Sequence, residues 1–90
     1  MRMEPVLESI LEELQAAAAK LGVAVSYEVL GDSVAGGGLC KVKGAYRVII
    51  EKRGTPGEKA VTLARALAAL DTESVFLTPA ARDLVEKQRG

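Results

Sequence analysis

The chain has 90 residues, 49% apolar and 27% charged, with a formal net charge of zero, a composition typical of one globular domain. It contains no histidine and one cysteine, Cys40, which excludes His-based catalysis, nearly all catalytic zinc sites and an internal disulfide. No apolar run approaches the ~20 residues that span a bilayer, and acids occupy the N-terminus where a signal peptide is basic and then apolar. We therefore expect a cytoplasmic chain with no membrane partner, no cofactor and no enzymatic activity.

The first predicted element is a helix over residues 4–21. Apolar residues recur there at spacings of three and four, Pro5 suits a first helical turn, and Gly22 is a natural C-cap. VAVSYEVL, Val23–Leu30, alternates and predicts a strand with one wet face.

Residues 31–38, GDSVAGGG, predict a flexible loop rather than a phosphate-binding loop. Gly31 and Gly36 have the spacing of a P-loop, but Gly37 stands where the lysine is needed and a strand follows instead of a helix.

Residues 39–52 predict a hairpin that turns at Gly44, and two arguments on its register disagree. Turn chemistry favours a two-residue loop with Gly44 at a positive φ. Polarity favours a loop of odd length, which we weight more because a one-residue slip turns a whole strand over. The odd loop places Cys40, Val42, Tyr46, Val48 and Ile50 on one face, and Lys41, Lys43 and Arg47 on the other.

A second helix begins in TPGE, because Thr55 can cap, Pro56 suits the first turn and Glu58 completes a capping box. It is predicted to run to about Leu70 with Ala60, Leu63, Ala64, Leu67 and Leu70 inward. Ser74–Leu77 suggests a short strand, and a third helix follows Thr78 and Pro79 to about Lys87, docked by Leu84 and Val85. The fold class is α+β: an antiparallel sheet of three, possibly four, strands with helices on one face, in the order α-β-β-β-α-(β)-α.

The middle of the chain carries an excess of positive charge. Residues 33–65 hold seven basic residues and two acids, and Lys41, Lys43, Arg47, Lys52 and Arg53 are all in or beside the hairpin. Such a cluster can track phosphates, so weak, salt-sensitive binding of nucleic acid or another anion is one functional alternative. The ordinary alternative is a solvated basic face. Single-strand readers usually add stacking aromatics, and we expect Tyr27 and Tyr46 to point inward.

Cys40 is the one nucleophilic side chain of special interest. A reactive thiol needs nearby cations or a helix N-terminus, whereas the odd-loop register places Cys40 among Val42 and Val48. We expect a buried, inert cysteine and keep a thiol-dependent role as an alternative.

The stretch VTLARALAAL, residues 61–70, has the rhythm of an HExxH zinc helix without its ligands. Arg65 and Ala69 stand where the two histidines would be, and Ala66 where the glutamate would be. Residues 44–64, GAYRVIIEKRGTPGEKAVTLA, resemble the approach to the metal helix in ImmA/IrrE-type zincin peptidases. The resemblance covers roughly residues 5–71 and implies a zincin-like scaffold without its metal site, so no active-site residue carries over. We expect Arg65 and Ala66 at the solvent edge of an inert core helix.

Residues 36–53, GGGLCKVKGAYRVIIEKR, resemble the hallmark GGxCxVKGxYR of a family of small bacterial proteins. That resemblance makes Gly37, Gly38, Cys40, Lys43, Gly44, Tyr46 and Arg47 the positions to test. With the charged neighbours added, the candidate functional residues are Gly37, Gly38, Cys40, Lys41, Lys43, Gly44, Tyr46, Arg47 and Arg53. The function expected first is a non-enzymatic interaction module, a homodimer or a partner-binding domain.

Overall fold

The computed structural model describes residues 4–31 and 37–89. Its elements, in chain order, are α1 Glu4–Lys20, β1 Ala24–Glu28, β2 Gly37–Val42, β3 Ala45–Glu51, α2 Pro56–Ala68 and α3 Pro79–Arg89. The α+β class and the order of the elements are confirmed. Most of the predicted loop at residues 31–38 lies outside the described residues. Its last two glycines open β2.

The sheet is mixed rather than antiparallel throughout. Its strand order is β1-β3-β2, so β3 lies in the centre, antiparallel to β2 and parallel to β1. Ala24 of β1 pairs with Arg47 of β3, and Glu28 pairs with Glu51. The expectation of a purely antiparallel sheet was wrong because β1 pairs with the second strand of the hairpin and not with its sequence neighbour. Alternation along one strand carries no information on its partner.

The hairpin takes the register that turn chemistry favours, and the odd-loop prediction was wrong. Lys43 and Gly44 form a two-residue turn with φ of 51° and 82°, and Val42 pairs with Ala45. Two consecutive positive φ values match the twist of the flanking strands. The conformational preference of this turn outweighed the cleaner separation of apolar and basic residues that the odd-length loop would have given.

The register defines two faces of the sheet. The helix-side face carries Val25 and Tyr27 of β1, Leu39 and Lys41 of β2, and Tyr46, Val48 and Ile50 of β3. The outer face carries Ala24, Ser26 and Glu28 of β1, Gly38, Cys40 and Val42 of β2, and Ala45, Arg47 and Ile49 of β3. Cys40 and Val42 therefore do not share a face with Tyr46 and Val48, and Lys41 does not share one with Arg47.

The core lies between the helix-side face and the helices. α1 packs on β1, and α2 packs on β2, β3 and both other helices. Leu14 of α1, Val48 and Ile50 of β3, Leu63 and Leu67 of α2, and Val85 of α3 are fully buried. The inward stripe predicted for α2 is confirmed, with Leu70 partly buried beyond the end of the helix. The described helices pack on one face of the sheet, as predicted.

Local sequence signals set the helix ends. Gly22 has a φ of 77°, and the Val23 N–H donates to the Ala18 carbonyl at 2.9 Å, which is the C-terminal arrangement that favours glycine. At α2 the Thr55 hydroxyl accepts from the Glu58 N–H, and the Glu58 carboxylate accepts from the Thr55 N–H at 2.8 Å. Both predictions are confirmed.

Ser74–Leu77 does not form the possible fourth strand. Val75 and Leu77 are buried while Phe76 is 78% exposed, so the alternation is real, but the Val75 N–H donates to the Thr72 carbonyl at 3.3 Å rather than to a strand. The Arg82 guanidinium donates to the Val75 carbonyl at 3.1 Å, and the Thr78 N–H donates to the Glu13 carboxylate. Alternating burial predicted a strand, but residues 73–75 form a turn and a bend instead.

Candidate functional site

β2 is an edge strand of the sheet, and within residues 4–31 and 37–89 no strand pairs with its outer side. In a two-residue hairpin the residues that flank the turn exchange both main-chain hydrogen bonds, and the pattern then alternates along the strand. Val42, Cys40 and Gly38 therefore bond to β3, opposite Ala45, Arg47 and Ile49. The N–H and C=O groups of Leu39 and Lys41, and the C=O group of Gly37, therefore point away from β3.

A groove of about 240 Å³ runs beside this edge, between β2 and α2; we call it the β2–α2 groove. Its lining comprises Gly37, Gly38, Leu39, Thr62, Arg65, Ala66 and Ala69. Three of the four helix residues are small, and two glycines form part of the strand wall. Main chain is therefore accessible from the groove, with little side chain in the way.

A second groove, of about 680 Å³, also borders α2. Leu7 of α1, Leu84 of α3, and Gly57, Glu58, Val61, Thr62 and Arg65 of α2 line it. Thr62 and Arg65 are common to both grooves. These two residues of α2 therefore lie between the grooves, and Arg65 is an exposed cation.

Gly37 is required for the close approach of β2 to β3. Its φ is 105°, and an added Cβ would lie 1.9 Å from the Ile49 carbonyl oxygen. A Cβ on Gly38 would meet nothing within 4 Å. The two glycines singled out from the sequence therefore differ in role, because only Gly37 is needed by the backbone.

The basic residues of the hairpin do not form one surface. Lys41 lies over the Tyr46 ring, 5.2 Å from its centroid, on the helix-side face. Arg47 lies on the outer face and Lys43 in the turn, while Lys52 and Arg53 follow the opposite end of β3. The expected shared face of Lys41, Lys43 and Arg47 was wrong, because it depended on the odd-loop register. Nucleic-acid binding stays an untested prediction without a common surface to support it.

Arg53 belongs to a structural clamp rather than to a phosphate site. Its guanidinium donates to Glu51 at 2.8 Å and to the Leu30 carbonyl at 3.0 Å. The hydrogen bond from the Arg53 side chain, helped by the N–H groups of Arg53 and Leu30, lowers the pKa of the Glu51 carboxyl below its ordinary value of 4.5. The clamp joins the chain after β1 to the end of β3.

The two tyrosines occupy different environments. Tyr27 is half-buried, donates to the Gln15 side chain and has Lys59 5.5 Å from its ring centroid. Burial raises the pKa of the Tyr27 phenol above its ordinary value of 10.0. Tyr46 shares the helix-side face but is 39% exposed. The inward direction predicted for Tyr27 is confirmed, whereas Tyr46 projects beyond the core.

Cys40 is half-buried on the outer face and pairs with Arg47 across the hairpin. The expected burial among Val42 and Val48 was wrong, because Val48 lies on the other face. A thiol-dependent role remains an untested alternative.

The three positions that correspond to the zincin active-site residues differ in exposure. Arg65 and Ala69 are exposed and line the β2–α2 groove, whereas Ala66 is only 4% exposed. The expectation that Ala66 lies at the solvent edge was wrong, because Ala66 is buried at the base of the same groove. Residues 4–31 and 37–89 contain no cluster of Cys, Asp and Glu side chains that could hold a metal ion, and the described helices include none long and apolar enough to cross a membrane.

Sequence reasoning did not identify the β2–α2 groove. The sequence feature that relates to it is the face of the second helix opposite the apolar stripe, where Thr62, Arg65 and Ala69 recur at helical spacing. That feature does not specify which strand lies beside this face. The distinction between Gly37 and Gly38 also needed the fold.

Comparison of the chain with protein-family models, with curated proteins and with solved structures finds no match. The resemblances to the zincin peptidases and to the small bacterial family therefore stay predictions.

Proposed function

We propose that this protein is a protein-interaction module that binds an extended segment of a partner as an added strand on β2. One observation carries the proposal: the free edge of β2 runs directly beside the β2–α2 groove. An unpaired edge is a template for another chain. In this recognition mode main-chain hydrogen bonds contribute affinity, and pockets for alternate side chains contribute specificity.

The amount of exposed edge suits a short segment. Gly37, Leu39 and Lys41 offer five outward main-chain groups, and each hydrogen bond gained in exchange for water contributes roughly 0.5–1.5 kcal/mol. Ordering of the segment offsets much of this. We therefore expect a segment of about five residues, bound at micromolar affinity or weaker.

The test blocks one main-chain donor and leaves the ladder intact. Proline at an outward-facing position of an edge strand removes an N–H without removing a bond to the neighbouring strand, so Lys41→Pro is the variant and Lys41→Ala its side-chain control. A phage-displayed library of random peptides is selected on the wild-type protein, and the selected peptides are titrated against all three proteins by fluorescence anisotropy. We expect a loss of about tenfold or more for Lys41→Pro and near wild-type affinity for Lys41→Ala. A library that yields no binder, or binders indifferent to Lys41→Pro, contradicts the proposal.

A second candidate function is self-association through the outer face. None of the described helices covers this face, Val42 is 51% exposed on it, and Ile49 occupies its centre. Arg47 and Glu28 lie on either side of Ile49 along the strands. A twofold axis through Ile49, across the strands, would place Arg47 of each copy near the acidic end of the other, and such an interface closes as a dimer.

Charge reversal tests the second candidate. Sedimentation equilibrium on the wild-type protein is expected to show a weak dimer, because three short strands offer far less than the ~800 Å² that each partner of a standard interface buries. Arg47→Glu and Glu28→Lys should each weaken it, and the double variant should restore it. A monomer at all concentrations, or a dimer that ignores both reversals, contradicts this candidate.

A further inference from the structure

Arg65 provides the groove with a positive charge. It is exposed on α2 and lines the grooves on both sides, and no residue in the described part of the chain forms an ion pair with it. Glu58 is the other charged residue that lines the second groove, and its carboxylate accepts a hydrogen bond from the Thr55 N–H in the capping box. Among the described residues that line the β2–α2 groove, Arg65 is therefore the one cation and none carries a carboxylate.

From this arrangement we infer that the partner segment presents a carboxylate to Arg65, an inference that rests on the proposed strand addition. Successive side chains of an added strand alternate between the two faces of the sheet. Those on the helix side enter the groove above Thr62, Ala66 and Ala69. A neighbouring helix-side position, two residues along the segment, brings an acidic side chain to the guanidinium of Arg65.

A second copy of β2 fits this position poorly. In the register that pairs all three outward-facing residues of both strands, centred on Leu39, Lys41 of the second copy lies opposite Gly37. Gly37 lines the groove together with Arg65, so two cations meet there. Like charges at an edge are a common means of suppressing self-pairing. The charges therefore favour an acidic partner over edge-to-edge association of this chain.

The carboxylate has two possible sources, an Asp or Glu side chain and the C-terminus of the partner. Arginine accepts either as a bidentate ligand. Internal peptides with an acidic residue, and peptides whose only carboxylate is their free C-terminus, are therefore measured side by side. The second set is also measured with the C-terminus amidated.

The experiment selects the peptide library in parallel on wild type, Arg65→Gln and Arg65→Glu, with Lys52→Glu as a control reversal at a residue that does not line the groove. Circular dichroism first establishes that each variant folds. We expect wild type and Lys52→Glu to enrich carboxylates at one position, Arg65→Gln to lose that preference and keep binding, and Arg65→Glu to enrich Lys or Arg there. The matched acidic peptide should bind Arg65→Glu at least tenfold more weakly than wild type.

Two negative outcomes have different meanings. Binders that lack a charge preference, bind Arg65→Glu equally and are lost with Lys41→Pro would overturn the role of Arg65 and leave strand addition standing. Failure to select any binder, or indifference to Lys41→Pro, would overturn the proposed function itself and this inference with it.

Discussion

The helix-side and outer faces of the β2–β3 hairpin are built from alternate residues of the same two strands, yet they differ in burial in the second half of β3, where the helices pack. Val48 and Ile50 on the helix-side face are 0% exposed, whereas Ile49 between them is only half-buried and Val42 is 51% exposed. Cys40 and Ile49 are no less apolar than many core residues. The difference teaches that burial here follows register. The Lys43–Gly44 turn decides which apolar residues meet the helices.

The largest expected effect on stability comes from adding a Cβ at Gly37, at the start of β2. Gly37→Ala is expected to cost about 4 kcal/mol or more in the free energy of unfolding, or to prevent folding, because the methyl would overlap the Ile49 carbonyl and the φ of 105° is unfavourable. Gly38→Ala is the matched control and should change stability by less than about 1 kcal/mol, since its Cβ meets open space. Urea denaturation followed by circular dichroism measures both. Equal effects would mean that β2 does not approach β3 as described.

Two adjacent isoleucines compare the faces directly. Ile50→Ala should cost about 2–5 kcal/mol, the range for emptying a packed core position, because the Ile50 side chain is fully buried. Ile49→Ala should cost about 1 kcal/mol or less, because its side chain faces outward and remains partly hydrated. The same unfolding experiment gives both values. A larger cost at Ile49 than at Ile50 would show that the register is shifted by one residue.

The turn that sets the register has a smaller expected effect. Gly44→Ala should cost about 1–2 kcal/mol, because its φ of 82° is unfavourable for a residue with a Cβ. Lys43→Asn should stabilise the protein by roughly 0.5 kcal/mol, because Asn-Gly is a preferred pair for a turn with two positive φ values. Thermal unfolding midpoints measure both changes. If Lys43→Asn were destabilising, the two-residue turn would be in doubt.

The smallest expected effect concerns the Glu51 clamp at the end of β3. The Arg53 hydrogen bond lowers the pKa of Glu51 in the folded state, so the folded protein binds a proton at this carboxylate less readily than the unfolded chain. The stabilisation is therefore present above the ordinary pKa of 4.5 and is lost as pH falls through the lower folded value.

The measurement compares the thermal midpoints of wild type and Glu51→Gln at pH 7 and pH 3. The gap between them should be largest at pH 7 and should shrink at pH 3, because protonated Glu51 resembles glutamine. Glu28→Gln, which removes an exposed carboxylate from the paired position on β1, is the control. A gap that stays constant with pH would argue against the Arg53 contact.

Part of the candidate site was accessible from the sequence. The sequence pointed to Gly37, Lys41 and the turn at Gly44 as candidates, whereas Arg65 was expected only at the solvent edge of an inert second helix. Their relationships were not accessible. Lys41 and Arg47 were assigned to one face, and Cys40 was assigned to the core, because polarity averaged over two strands cannot specify a shift of one residue. The groove exists only because α2 lies beside the free edge of β2.

The sequence by itself determined the features that depend on residues within about four positions of one another. These are the end of α1 at Gly22, the capping box from Thr55 to Glu58, the inward stripe of α2 and the exclusion of histidine chemistry. Only the tertiary structure decided the parallel pairing of β1 with β3, the side of the sheet on which the described helices pack and the alignment of β2 with α2. The physical reason is range, because caps and turns are stabilised by contacts between chain neighbours. Strand partners are chosen by burial of apolar side chains that lie far apart in the sequence, and alternation along one strand does not encode that choice.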